Sequence, residues 1–141
     1  MVLLKYSTGL VAILNMEKYF YKKILIGIKI TNFPKGSIPH TDPKESLGVI
    51  TIKLSRKAHI PAHVHKSIKR VTYRFQECLV VRKGKIKINL FTPDKIFFTS
   101  LYLKEGQLFL VINGGHEVLV LKDCEMFVIK SGPYKEDKVF I

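Results

Sequence analysis

The chain has 141 residues, 47% of them hydrophobic, and sets twenty-four Lys and Arg against eleven Asp and Glu for a net charge of +13. That length suits one domain with a real core, and that composition excludes a disordered chain. No stretch approaches the ~20 consecutive apolar residues of a membrane-spanning helix.

Residues 1–15 are set apart as an N-terminal extension, and the domain is taken as 16–141. Gly9 to Leu14 is apolar, but Lys5 is its sole early cation and no small-x-small cleavage site follows, so it makes a poor signal peptide. Met16 serves equally well as a working start. Ile24 to Ile30 is β-branched and bounded by charge, which predicts a strand. The region from Tyr19 to Ile30 is then either an extra strand on the domain's own barrel or a dimer interface. Pro34, Gly36, Pro39 and Pro43 make residues 32–47 a loop. Gly48 to Leu54 predicts a strand, and Pro61 breaks the chain before another that starts at Ala62. Residues 66–75 form a basic connection.

Strand signals then recur at short spacing. Glu77 to Arg82 passes through Lys83-Gly84 into Lys85 to Phe91, which reads as a tight hairpin. Thr92-Pro93-Asp94-Lys95 is a turn with Pro at its second position. Ile96 to Leu103, the turn at Lys104-Glu105-Gly106, Gln107 to Ile112 and the turn at Asn113-Gly114-Gly115 follow. Val118 to Leu121 and Glu125 to Ile129 read as a last hairpin around Lys122-Asp123. Many short strands separated by turns predict an all-β, single-domain sandwich or barrel of jelly-roll type. Phe75, Phe91, Phe97, Phe98, Phe109 and Phe127 are expected in its core. Cys78 and Cys124 are read as reduced thiols in a cytoplasmic protein, since a chain of this size needs no staple.

The most informative residues are His63 and His65, Glu77, and His116 after Asn113-Gly114-Gly115. Residues two apart on a strand share a face, so the two imidazoles converge, and Glu77 and His116 can close the set around one cavity. Three imidazole nitrogens and a carboxylate suit one divalent transition metal: Zn, Mn, Fe or Ni. Cys78, next to Glu77, should face away. His40 and His59 lie outside the pattern and are expected in solvent. The pattern predicts a metal centre and does not predict a reaction.

These residues resemble the cupins. The cupin first motif has His-x-His followed by Glu, six residues and Gly, as at His63, His65, Glu77 and Gly84. The second has Gly, a turn and His, as at Gly106 and His116. The likeness runs from about Gly48 to Tyr134. Three departures stand out: eleven residues separate His65 from Glu77, Lys57 stands in place of a motif Gly, and Ile112 in place of a motif Pro, with His116 one residue early. The chain is most similar to a subgroup of small cupins with a basic insertion after His-x-His, a Gly-Gly-His turn, and an ending like Glu125-Met126 to Lys130-Ser131-Gly132-Pro133-Tyr134. That resemblance implies a jelly-roll barrel and a surface-polysaccharide or nucleotide-sugar pathway. In that subgroup the residue after the turn histidine is typically Gly, where this chain has Glu117.

A metal of this kind can polarise a carbonyl or hydroxyl, or activate water, so isomerisation, epimerisation, hydrolysis and dioxygenation all fit. A general acid or base is needed beside it; Tyr73 and Glu117 are the catalytic candidates, with His59 a third. Lys66, Arg70 and Arg74 can clamp a carboxylate or phosphate, and a solvated basic loop is the plainer reading of the same residues. The first hypothesis is a metal-dependent enzyme, of isomerase or epimerase type, acting on a small anionic carbohydrate or related metabolite; the second is a non-catalytic ligand-binding module. A polyanion-binding protein is the third. Nucleic acid is a disfavoured partner because the lysines are dispersed, several alternating with apolar residues on a strand. The expected assembly is a homodimer.

Overall fold

In a computed structural model, residues 9–13 and 16–141 are described, and all their regular structure is β. The opening stretch weighed and disfavoured as a signal peptide falls largely on residues 1–8 and 14–15, outside the described residues. The strands are β1 (Gly9–Ile13), β2 (Met16–Tyr21), β3 (Ile24–Ile30), β4 (Gly36–Pro39), β5 (Ile50–Lys53), β6 (Glu77–Phe91), β7 (Phe97–Lys104), β8 (Leu108–Val111) and β9 (Gly115–Lys130). β4 and β5 pair as a small separate sheet. The others form one antiparallel sheet in the order β1-β2-β3-β8-β6-β7, with β9 along the opposite side of β6. This sheet curls strongly into a half-barrel.

Two predicted hairpins are absent. β6 and β9 are each one long strand, of 15 and 16 residues, and they pair with each other over nearly their whole lengths. Gly84 had read as half of a two-residue turn, yet it carries a bulge. Its φ is +90°, and a Cβ there would lie 2.1 Å from the Asp123 carbonyl oxygen. The register shifts around Lys83 and Lys85 sit opposite the predicted Lys122-Asp123 turn. The two irregular spots therefore face each other, and the paired ribbon bends there without reversing. A bulge also changes which face each side chain meets. Leu79 and Val81 are odd-numbered while Ile86, Ile88 and Leu90 are even, yet all five belong to one buried cluster. Without the extra residue the second half of β6 would turn its apolar side chains outward.

That cluster, completed by Ile26, Leu101, Leu103, Phe109, Val111 and Tyr19, fills the inside of the curl. A smaller one, with Ile28, Ile30, Cys78, Leu110 and Ile112, lies on the other face. Gly27 makes room for the central aromatic: a Cβ there would meet the Phe109 ring at 2.2 Å. Of the expected core aromatics, Phe109 is buried and Phe98 is partly buried against the inner cluster, whereas Phe75, Phe97 and Phe127 are exposed. The outward side of a curled sheet ends in edge strands, and alternation alone does not tell an edge from a centre.

The Pro93 and Gly106 turns are as predicted, with Lys95 N–H donating to Thr92 O at 2.8 Å and Gln107 N–H to Lys104 O at 3.0 Å. The region from Tyr19 to Ile30 supplies strands of the chain's own sheet; β3 is bonded on both sides, to β2 and β8, and so offers no free edge. β4 lies within the expected loop of residues 32–47. Residues 54–76 contain no strand, so the expected strand from Ala62 is also absent. A strand needs a partner for its backbone groups, and none runs beside this segment.

Candidate functional site

The bend decides the site. A straight strand from Glu77 to Phe91 would span about 45 Å. His116 sits opposite Leu90, near the far end of β6, yet its Nε2 lies 3.5 Å from Glu77 Oε1. The curl, with β8 and the Asn113-Gly114 turn bridging the gap, brings the two ends of the ribbon together. Gly114 allows that turn: its φ is +73°, and a Cβ would meet the Phe91 carbonyl oxygen at 2.1 Å. Glu77 and His116 stand opposite Lys130 and Leu90 in the register, and their alternation with Leu79 and Val118 puts both on the inner face. Cys78 points the other way, as expected, and is free, as is Cys124.

Glu77 is half-buried and faces the His116 ring and the Lys130 ammonium. Its Oε2 lies 3.8 Å from Lys130 Nζ. The His116 ring beside it holds the Glu77 carboxyl below the usual carboxylate range, helped by the charges of Lys130 and Lys138 and opposed by partial burial. Lys130 is itself placed by aromatics, 5.6 Å from the Phe75 ring centre and 5.2 Å from that of Tyr134. Lys130 carried no assignment in the sequence because it stands opposite Glu77 only if β9 is continuous.

The structure does not add the other two histidines to this pair. His63 and His65 lie on the exposed 54–76 segment, their rings edge to face with centroids 5.1 Å apart. The convergence expected of a strand is thus achieved by a loop. His63 Nδ1 donates to the Pro61 carbonyl oxygen at 2.8 Å. Among the described residues, no group of three or more His, Cys, Asp or Glu side chains is gathered closely enough to hold a metal. One oxygen and one nitrogen at Glu77 and His116 are half of a tetrahedral set, so the residues as placed do not fit a metal.

The remaining candidates are dispersed. Glu117 follows His116 and faces the opposite side, where its Oε2 accepts from Asn89 Nδ2 at 2.7 Å; Asn89 Oδ1 in turn accepts from Ser100 Oγ at 2.7 Å. It belongs to a polar ladder across β9, β6 and β7. Tyr73 is 97% exposed and lines a shallow hollow with Arg74, Asp42, Glu45 and Ser46. Arg74 lies 3.8 Å from Glu45. Lys66, Arg70 and His59 are exposed on the same segment. His40, expected in solvent, is buried and sits 2.7 Å from Thr51 Oγ1; burial, with Lys18 nearby, pushes its pKa down.

Gln76 is the residue that sequence reasoning left without a role. It is fully buried and pins the end of the segment beside Glu77. Its Oε1 accepts from Leu47 N–H at 2.9 Å, its Nε2 donates to Glu45, and its backbone exchanges hydrogen bonds with Ser131. A buried polar side chain must find partners, but their identity depends on folding.

No family model, curated protein or solved structure matches the chain. Among the described residues no helix is long and apolar enough to cross a membrane.

Proposed function

We propose that the chain is a cupin-like, jelly-roll metalloprotein acting on a small anionic carbohydrate or nucleotide-sugar-pathway metabolite. The Glu77–His116 pair carries this reading: an oxygen and a nitrogen ligand from opposite ends of one ribbon meet on the inner face of a curled sheet. The metal would need His63 and His65 as well, brought over by the 54–76 segment. Two observations support that movement. Val64, Ile68 and Val71 are all more than half exposed in this segment, and apolar side chains gain by leaving water. Gln76 anchors the segment one residue from Glu77, and the eleven residues after His65 extend to roughly 40 Å, so reach is no obstacle. Lys130, Arg70 and Lys66 would supply positive charge for an anionic ligand. The free thiols of Cys78 and Cys124 accord with a reducing, cytoplasmic location.

Elemental analysis of untagged protein tests the reading. Near-stoichiometric Zn, Mn, Fe or Ni is expected in the parent, and none in His63→Ala/His65→Ala or in Glu77→Gln. Metal in neither parent nor variants after reconstitution would refute it. A second reading, a ligand-binding module without turnover, draws support from Glu117, which is engaged by Asn89 on the outer face, and from Tyr73, which stands exposed. It predicts metal or ligand binding with no consumption of any sugar substrate.

A further inference from the structure

β9 is an edge strand of unusual character. One side of this 16-residue strand pairs with β6 over nearly its whole length, and no strand pairs with the other side among the described residues. Natural edges are blunted by short length, proline or a run of lysines. β9 contains no proline, and its apolar residues reach solvent on both faces. Val120 is 59% exposed and Met126 37% on the inner face, Leu119 41% and Phe127 60% on the outer.

We infer that this edge is the dimer interface, joining β9 antiparallel to β9 of a second copy. Charge points to a second copy over another occupant. A chain of net charge +13 repels itself over most of its surface. Residues 115–130 depart from this, holding Glu117, Asp123 and Glu125 against Lys122 and Lys130. Here two positively charged copies can meet across a nearly balanced patch, with acidic and basic groups available on both. The strand is also self-complementary about its middle. Its apolar residues fall in two runs, Val118 to Leu121 and Met126 to Ile129, on either side of the polar stretch from Lys122 to Glu125. Antiparallel pairing about that stretch sets each run against the other run of the partner, as a two-fold axis requires. The joined edge continues the sheet through both copies and satisfies the backbone groups left open on each.

Sedimentation velocity of the full chain, across a range of concentrations and salt, tests this inference beside the variant Val120→Lys/Phe127→Lys. Both side chains are exposed, so circular dichroism should show an unchanged fold. The parent is expected to be a dimer that added salt strengthens, by screening the repulsion of the two +13 chains. The variant should dimerise at least about 100-fold more weakly, because strand pairing would then bury lysines. A monomeric parent at every concentration would overturn the inference. So would a dimer indifferent to both lysines, which would place the interface elsewhere. A monomer whose β9 amides resist hydrogen exchange would overturn it in favour of the chain's own 54–76 segment as the occupant. None of these results depends on metal content.

Discussion

Glu77 shows how much one side chain can report. In the unfolded chain its carboxyl titrates in the ordinary range near about 4.3; in the fold, the His116 ring and Lys130 hold it lower. A carboxyl whose pKa falls on folding stabilises the protein above its unfolded value, and that stability disappears as the pH falls through the folded value. Glu77→Gln should therefore cost about 1–2 kcal/mol at neutral pH, and the gap to the parent should close on acidification. Urea unfolding at a series of pH values measures it; a gap constant with pH would show that the pair is not ionic. Glu77 and His116 were recognisable from sequence because their residue types and spacing carry chemical meaning. Lys130 and Gln76 were not, since their roles consist in what folding places next to them.

At the level of strands, legibility divided along local and distant causes. Pro93 and Gly106 fix their turns with dihedral preferences of their own, and both were read correctly. Gly84 misled because a glycine with positive φ serves a hairpin and a bulge equally well. The choice rests on a partner some forty residues away, since Asp123 closes on Gly84 from the opposite strand. Gly84→Ala should cost about 2–3 kcal/mol, through a strained φ and the clash with a backbone oxygen. Thermal unfolding should show this as a lowered Tm, and Gly48→Ala, which meets nothing within 4 Å, should be far milder. The His63–His65 segment was misread for a related reason: it has the alternation of a strand but no neighbouring strand to complete it.

The whole molecule is held by contacts that are remote along the chain. β3 pairs with β8, setting Ile30 against Leu108, and the opening residues of β6 wait for the final strand, with Glu77 against Lys130. A nascent chain emerging from the ribosome can form the β1–β2–β3 meander early, but β3 stays unbonded on one side until some eighty more residues have been made. Loop closure over such separations costs entropy before any contact repays it. Refolding in stopped-flow experiments should therefore fall on the slow, millisecond-to-second side for a chain of this size. Substitutions in β9 should chiefly accelerate unfolding, with little effect on the refolding rate, as befits the strand that arrives last. Until it arrives, the backbone edge of β6 that β9 will pair with is open to water, and during that interval the protein's fate depends on chaperones and on its own concentration.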